Sequence, residues 1–306
     1  MIPSAPRSST LDFIKAGQNP DGGWGYRPGG TSFVEPSAFC AMALLAGAEK
    51  EAAGRGLAFL KSCPGASGAI GVSPEDRTGS WMAYSALLAY HAFGARSEEA
   101  RLVDWILKFE DASRRFTPAD LKTIARTYRY NASIPGWPWT PGTTAWVEPT
   151  ALFIIALTRA GVAPTQARVA AGVRLLIDRE VPSGGWNFGN PFSKSHELAA
   201  TLLATSIALT ALASAGYPED RPAVGSGLRF LERCLAGAAS TVSLSWALIA
   251  LRSWRSGNRL VPEVAARLDG LRNRDGSFRR NPFESALAYL ALTDASPIIS
   301  PLGTSR

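Results

Sequence analysis

The stretch NPDGGWGYRPGGTSFVEPSAFCAMALLAG (residues 19–47) joins a glycine-rich turn that carries a tryptophan to a run of small apolar residues. Similar turns occur at IPGWPWTPGTT (134–144), VPSGGWNFGNPF (181–192) and RNRDGSFRRNPF (272–283), and each precedes a segment rich in alanine and leucine. Glycine permits sharp turns of the backbone, and a unit that recurs along a chain is typical of a repeat architecture. The sequence therefore predicts a series of repeated helical units.

Two of the apolar runs are nearly identical, FVEPSAFCAMALLAG (33–47) and WVEPTALFIIALTRAG (146–161). The proline after each glutamate fits the first position of a helix. Gly47 and Gly161 fit the left-handed position that ends a helix. Each run is therefore predicted to be one complete helix.

Apolar and amphipathic segments alternate along the chain. A helix that is apolar nearly all round is expected to be inner, and one with a single apolar stripe is expected to be outer. The inner helices are predicted to begin near Glu35, Ser80, Glu148, Glu197, Thr241 and Glu284. The outer helices are predicted at 10–16, 49–62, 97–110, 166–179, 222–236 and 262–271, and an extra helix at 117–131 would have Thr117 as its cap and Pro118 in its first turn.

Six inner and six outer helices would close a ring, because an open solenoid would need polar capping repeats at both ends. The predicted fold class is therefore all-α, a single (α/α)6 toroid of six helical hairpins with turns rich in glycine and tryptophan. One domain is predicted over residues 1–306. Its repeats would lie at about 10–62, 63–110, 129–180, 181–236, 240–271 and 272–294, with the extra helix at 117–131.

The composition suits a large buried core, since 46% of the 306 residues are hydrophobic and 19% are charged. Three cysteines at unrelated spacings indicate neither a disulfide framework nor a CxxC pair, which favours a reduced, cytoplasmic setting. The N-terminus lacks the apolar run of a secretory signal. Residues 197–216 are long enough to span a bilayer, but their many small and hydroxyl-bearing residues favour a helix buried in protein.

The formal net charge is +7 and the pI is about 9.6, a balance that suits anionic partners. The basic residues are spread along the chain, apart from local pairs at Arg114–Arg115 and Arg279–Arg280. No basic stripe interleaved with aromatic residues is present, so nucleic-acid binding is not predicted. Anionic lipid, through a peripheral contact with a membrane, or a diphosphate fits the charge better.

The turns and the helices before them carry a more specific pattern. An aromatic and an aliphatic residue, then glutamine, then Gly-x-Trp occur in step as Phe13–Ile14, Gln18, Gly22 and Trp24. This pattern resembles the Gln–Trp repeat of the squalene-cyclase and protein-prenyltransferase β-subunit superfamily, over about residues 10–294. Degenerate copies run from Leu175 through Glu180 and Gly184 to Trp186 and from Leu268 through Gly276 to Phe278, and the upstream part alone appears at Arg55–Leu60.

The resemblance implies a toroid whose central apolar cavity binds a polyprenyl or triterpenoid-type substrate. The Asp-x-Asp-Asp cluster with which triterpene cyclases protonate their substrate is absent from the sequence, as is the Asp-rich magnesium motif. The acidic pairs Glu75–Asp76, Glu110–Asp111 and Glu219–Asp220 are isolated. With two histidines and no Asp-x-Cys pattern, the zinc site of the prenyltransferases is not expected. The sequence therefore indicates no metal and no organic cofactor.

The starts of the inner helices carry candidate catalytic residues. Glu35, Glu148 and Glu284 align at one position of the repeat, near the start of an inner helix, which is called the station below. His196 and Glu197 lie near this position in the fourth repeat. In one interpretation these carboxylates converge on the cavity, where like charges raise a pKa and supply an acid or a base. In the other they complement helix dipoles, with Ser32-x-x-Glu35 and Asn281-x-x-Glu284 as capping boxes.

Aromatic residues close to this station are candidate substrate-binding residues. Ring faces can stabilise a carbocation, or the same rings can hold an isoprenoid tail or simply pack helices together. Arg126, Arg129 and Lys194 are candidates for a diphosphate or for solvated surface, and His91 and Cys40 are expected to be structural. The aromatic candidates are Phe33, Trp81, Trp137, Trp139 and Trp146.

Three functional hypotheses follow. The first is an isoprenoid-handling enzyme of the terpene-cyclase or prenyltransferase type with an unusual acid. The second is a ring without catalytic activity that binds a lipid or docks a protein. The third, a carbohydrate-active toroid with paired carboxylates, fits the shape of the fold but not the Gln–Trp repeats.

Overall fold

The computed structural model describes residues 7–65, 67–76, 78–293 and residue 298. The predictions made for residues 1–6 and for the two ends of the 1–306 domain fall outside these residues. Apart from the two-stranded sheet of β1 (Phe192–Ser193) and β2 (His196–Glu197), the regular structure of the described part is helical.

Buried and amphipathic helices alternate as predicted. The buried helices are α2 (Val34–Ala46), α4 (Ala83–Ala92), α7 (Val147–Arg159), α9 (Leu202–Ser214), α11 (Thr241–Arg252) and α13 (Pro282–Leu292). The amphipathic helices are α1 (Arg7–Ala16), α3 (Lys50–Ser62), α5 (Arg96–Lys108), α8 (Ala167–Asp178), α10 (Pro222–Leu235) and α12 (Val261–Asp269). The extra helix is α6 (Pro118–Tyr128), and 3-10 turns occupy Ser113–Arg115 and Arg255–Leu260.

The starts of two buried helices differ from the prediction. Helix α9 begins at Leu202 rather than near Glu197, because Thr201 caps it by accepting a hydrogen bond from the backbone N–H of Ala204. Helix α4 begins at Ala83 rather than near Ser80. The predicted cap of α6 is confirmed, since Thr117 and Asp120 form a complete capping box.

Pro36, Pro149 and Gly47 also lie at helix positions other than the predicted ones. Phe33 and Trp146 are the N-terminal flanking residues of α2 and α7, so Pro36 and Pro149 take the third helical position, not the first. Gly161 is left-handed as predicted, with φ of 85°. Gly47 is not, since its φ is −85°. Ala48 takes the left-handed conformation instead, with φ of 64°.

The tryptophans of the turns clamp adjacent helices. The indole N–H of Trp24 donates to the carbonyl of Ile14, and that of Trp186 donates to the carbonyl of Leu176, both at 2.7 Å. The ring of Trp24 lies against Gly56, where a Cβ would be 2.8 Å from the ring. Trp137 and Trp186 lie in the same way against Gly172 and Gly227, at 2.9 Å.

A hydroxyl near the start of each of four buried helices fixes the preceding turn. In each case the side-chain oxygen accepts the backbone N–H of the aromatic residue in the turn, at 2.8 to 2.9 Å. These contacts put the repeats in a common register. The pairs are Ser37 with Trp24, Thr150 with Trp137, Thr205 with Trp186 and Ser285 with Phe278.

Removing one of these hydroxyls is expected to destabilise the fold. Ser37→Ala leaves the buried N–H of Trp24 without its acceptor, which should lower the free energy of unfolding by about 1–3 kcal/mol. Ser245 is an equally buried control in α11, since its hydroxyl has no hydrogen-bond partner in the structure. We expect Ser245→Ala to be neutral or stabilising in urea unfolding. Equal losses for the two variants would contradict this account.

The described residues form two compact units. One comprises the described residues of Met1–Ile106, Ala239–Leu248 and Pro262–Ile298, and the other those of Leu107–Ala238 and Ile249–Val261. Within the first unit, α1 contacts the turn before α13, because Thr10 donates to the carbonyl of Gly276 at 2.8 Å. The single-domain organisation stays a prediction.

The helices in the described residues are short, and the longest, α10, has 14 residues. None of them combines the length and the apolar character needed to cross a membrane. Residues 202–214, within the stretch considered above as a span, form a helix whose middle is buried in protein.

Candidate functional site

A buried carboxyl group lies in the first turn of α2. Glu35 is only 6% exposed, and both of its oxygens accept hydrogen bonds from phenols. Tyr26 donates to Oε2 at 2.7 Å and Tyr84 donates to Oε1 at 2.8 Å. Tyr26 comes from the glycine-rich turn two residues after Trp24, and Tyr84 comes from the first turn of α4, which packs against α2.

Aromatic rings surround these phenols. Tyr26 lies 5.6 Å from Phe33 and 5.9 Å from Phe283, measured between ring centroids. Phe39 contacts Phe283 at 5.1 Å and Tyr84 at 6.3 Å. Trp81 stacks on Tyr84 at 5.8 Å. These six rings are called the aromatic cluster below: Tyr26, Phe33, Phe39, Trp81, Tyr84 and Phe283.

The surroundings favour the protonated form of Glu35. Burial raises the pKa of its carboxyl, and the hydrogen bonds from Tyr26 and Tyr84 offset only part of that effect. The pKa of Tyr26 is raised as well, first by burial and then by the nearby Glu35, so this phenol remains a donor. The arrangement places a carboxyl group with a raised pKa beside aromatic rings.

The raised pKa should make folding stability depend on pH. Above the usual carboxyl value of 4.5 the unfolded chain releases the Glu35 proton while the folded chain retains it. The folded state then binds more protons, so the stabilising contribution falls as the pH rises from 4.5 through the folded pKa. We expect Glu35→Gln to flatten this part of the stability curve in urea unfolding at a series of pH values. Glu263→Gln, an exposed change in α12, should retain the wild-type slope, and a wild-type slope in Glu35→Gln would refute the assignment.

The common register of the repeats relates the other predicted acids to Glu35. Glu148 lies two residues before Thr150, as Glu35 lies two residues before Ser37, so these two share a station. Glu284 does not, because it directly precedes Ser285, and Phe283 takes the station in that repeat. Glu148 is half-buried, at the start of α7.

Glu284 fits a capping role, whereas Glu35 does not. Asn281 accepts the backbone N–H of Glu284 at 3.2 Å, as one half of the predicted capping box requires. Burial raises the pKa of Glu284, and Thr241 and Arg279 oppose that shift. The other predicted capping box is wrong, because Ser32 donates to Asp21 and no side chain caps α2.

His196 and Glu197 lie away from the start of α9. Both are exposed in strand β2, which pairs with β1, and Glu197 accepts the backbone N–H of Ser183 at 3.2 Å. The prediction that Glu197 opens a buried helix is therefore wrong. The hairpin projects these two side chains into solvent.

The predicted aromatic residues divide into three groups. Phe33 and Trp81 belong to the aromatic cluster. Trp137 is fully buried in the clamp position that Trp24 and Trp186 also occupy, with the Arg168 guanidinium 4.4 Å from its ring, so packing accounts for it. Half-buried Trp146 precedes α7 as Phe33 precedes α2, and half-buried Trp139 follows Trp137 by two residues as Tyr26 follows Trp24.

Four members of the cluster were not predicted: Tyr26, Phe39, Tyr84 and Phe283. The position of Tyr26 two residues after the clamp tryptophan was a readable signal, since Trp139 and Phe188 recur there. Tyr84 had no such signal, because it reaches Glu35 from a different helix.

The remaining predicted residues do not form a further site. Arg126, Arg129 and Lys194 are exposed, and the Arg129 guanidinium lies 4.1 Å from the ring centroid of Phe192. His91 lies 3.2 Å from the buried Glu99, and Cys40 is fully buried, as their structural roles predict. Within the described residues, His, Cys, Asp and Glu side chains do not gather in a group of three suited to a metal ion.

The solved structures that are similar to this chain include a type II terpene cyclase and an alpha-amylase. No protein-family model matches the chain, and no curated protein matches its sequence. The chain is similar to the type II terpene cyclase MstE from Scytonema, with a TM-score of 0.64 and 15% identity over 96% of this chain and 97% of that one. A variant of that cyclase, solved with its substrate geranylgeranyl dihydroxybenzoate, gives a TM-score of 0.65 at 15% identity over 96% and 97%.

A novel alpha-amylase from Clostridium perfringens is also similar, with a TM-score of 0.60 and 13% identity over 94% of this chain and 96% of that one. Similarity at such low identity shows the fold alone. The predicted all-α, terpene-cyclase-like fold is therefore confirmed. Because one fold hosts different chemistries, the function has to be argued from the site.

Proposed function

We propose that this chain is an isoprenoid-handling enzyme of the squalene-cyclase and prenyltransferase type, in which Glu35 donates the proton that starts the reaction. One observation carries the proposal: a buried carboxyl with a raised pKa lies among aromatic rings and is hydrogen-bonded by two phenols. A carboxyl group whose pKa is raised above its usual value suits general acid catalysis. The solved cyclase with a geranylgeranyl substrate supports an isoprenoid as the ligand.

The proposed first step transfers the Glu35 proton to one carbon of an alkene and leaves a carbocation on its neighbour. The π-face of the nearby rings stabilises that positive charge. The π-electrons of a second alkene then form the new carbon–carbon bond, and loss of a proton to water gives a cyclic isomer of the substrate. Tyr26 and Tyr84 stabilise the Glu35 carboxylate formed in the first step, because both donate to it.

Glu148 is the second candidate for the acid. It shares the station of Glu35, and Trp146 and Trp139 occupy the places that Phe33 and Tyr26 take in the first repeat. We favour Glu35 because it is more deeply buried and two phenols fix its orientation. His196, Glu197 and Glu284 have less support, because the first two are exposed and the third lies beside a helix cap.

A lipid-binding or protein-docking role without catalysis is the alternative. The absence of the Asp-x-Asp-Asp cluster from the sequence favours this alternative. In the structure, the groups that donate to Glu35 are two phenols rather than a second carboxyl group. The same observation argues against a glycosidase, which needs two carboxyl groups across the scissile bond.

Product analysis tests the proposal. Purified protein is incubated separately with squalene, farnesyl diphosphate and geranylgeranyl diphosphate, and extracts are examined by gas chromatography and mass spectrometry. We expect a cyclic product from at least one substrate with wild-type protein and with Glu263→Gln, and none with Glu35→Gln. Lack of product from every substrate, with an isoprenoid lipid or a protein partner that co-purifies, would favour the alternative.

A further inference from the structure

The turn before α13 has an unusual backbone for its sequence. The backbone N–H of Asn281 donates to the carbonyl of Phe278 at 3.0 Å, which closes a four-residue turn. Its two central residues, Arg279 and Arg280, both have φ of 53°. Turns with two left-handed central residues favour Asn and Gly, because a side chain with a Cβ is strained there. Two arginines at these positions call for a function of their side chains.

The two arginines of this turn and the preceding residues 273–275 line an open pocket. Its volume is about 490 Å³, and the lining residues are Asn273, Arg274, Asp275, Arg279 and Arg280. Three arginines and one aspartate are thus among the residues that line the pocket. The acidic contacts are long, with Arg279 Nε 3.7 Å from Glu284 and Arg280 Nε 4.0 Å from Asp275, and the two arginine side chains are 72% and 83% exposed.

The same turn adjoins the aromatic cluster. In the first repeat, the backbone N–H of Phe33 donates to the carbonyl of Trp24, as that of Asn281 donates to the carbonyl of Phe278. Residues 25–32 form the loop between Trp24 and Phe33. In the last repeat that segment is shortened to the two arginines. Phe283, which contacts Tyr26 in the cluster, follows two residues after Asn281.

We propose that Arg274, Arg279 and Arg280 form a binding site for a phosphate-type anion. A guanidinium group offers paired N–H donors that match two phosphate oxygens. Three such groups around one pocket suit a pyrophosphate better than an anion with a single charge. The site is independent of acid catalysis by Glu35. The anion is either free or the head group of a phosphorylated isoprenoid whose chain would run toward the cluster, and only the second source rests on the proposed function.

Calorimetric titration of the full chain with inorganic pyrophosphate tests the site. The Arg279→Asn, Arg280→Gly variant replaces the arginines with residues that the turn prefers. We expect its melting temperature to rise by about 2–5 °C and its affinity for pyrophosphate to fall at least about tenfold. Weaker binding in this variant therefore cannot be attributed to loss of folding.

The other exposed arginine pair provides the matched control. Arg114→Ala, Arg115→Ala removes the same charge from the 3-10 turn and should leave pyrophosphate affinity within twofold of wild type. Wild-type protein that fails to bind pyrophosphate at millimolar concentration would overturn the proposal. Affinity within twofold of wild type in the Arg279→Asn, Arg280→Gly variant, or equal losses in the two arginine-pair variants, would overturn it as well.

Titration with geranylgeranyl diphosphate and with geranylgeraniol separates the two sources. If geranylgeranyl diphosphate binds more tightly than pyrophosphate and this binding is lost in the Arg279→Asn, Arg280→Gly variant, the site is one for a phosphorylated isoprenoid. If geranylgeranyl diphosphate and pyrophosphate bind with equal affinity, the site is one for the free anion. Glu35→Gln should bind pyrophosphate like wild type, so this site and the catalytic proposal can fail separately.

Discussion

Glu35→Gln is expected to reduce product formation by at least about a hundredfold, since general acid catalysis typically contributes factors of 10² to 10⁴. Glutamine retains the shape of the side chain and an oxygen that can accept from Tyr26 or Tyr84, but it carries no acidic proton. Initial rates of product formation, with the substrate that wild type turns over, provide the measurement. Circular dichroism should show that the variant is folded.

The phenols give a graded comparison for the same experiment. Tyr26→Phe and Tyr84→Phe each remove one hydrogen bond to Glu35 and preserve the ring, so we expect smaller losses, about tenfold. A folded Glu35→Gln variant that retains more than a tenth of wild-type activity would exclude Glu35 as the proton donor. The same loss in Glu148→Gln, with Glu35→Gln active, would transfer the role to Glu148.

Trp24→Ala is expected to lower the free energy of unfolding by about 3–5 kcal/mol. The indole is fully buried, donates to Ile14 and lies against Gly56, where the helix offers no side chain that could fill the space left behind. Urea unfolding followed by circular dichroism measures the change.

Trp139→Ala is the control, because this tryptophan is half-buried and lies outside the clamp position. Its expected loss is smaller, about 1 kcal/mol. If both substitutions cost the same, the clamp would not be the feature that holds the repeats together.

The helices could be predicted well because burial leaves a strong trace in the sequence. Segments such as FCAMALLAG are apolar on all sides, and segments such as 50–62 alternate charged and apolar positions. Helix ends were less predictable. Helices α2 and α7 begin at Val34 and Val147, one residue before the predicted Glu35 and Glu148, and their flanking residues Phe33 and Trp146 offer no capping oxygen that could have fixed the exact start.

The candidate site could be predicted only in part. Repetition of the Val-Glu-Pro triplet singled out Glu35 and Glu148, but nothing local distinguished them. The hydrogen bond from Tyr84, 49 residues further along the chain, reaches Glu35 only after α4 packs against α2, so no local sequence pattern could predict it. Glu197 was assigned to a helix because apolar residues follow it, whereas Thr201 provides the cap that sets the start of α9.

Similarity to both a terpene cyclase and an alpha-amylase shows how little the fold decides here. The argument for an isoprenoid depends on the chemistry around Glu35. Aromatic rings and phenols suit an apolar substrate that becomes cationic, whereas hydrolysis of a glycoside needs a second carboxyl group.

Deuterium incorporation tests proton donation by Glu35 most directly. The carboxyl proton exchanges with solvent, so a reaction that Glu35 starts in D₂O transfers one deuteron to the substrate carbon. Mass spectrometry of the cyclic product should then show one added deuterium with wild-type protein and no product with Glu35→Gln. A product without deuterium would mean that the reaction begins in another way, and absence of any product with wild-type protein would contradict the assignment of an enzymatic function.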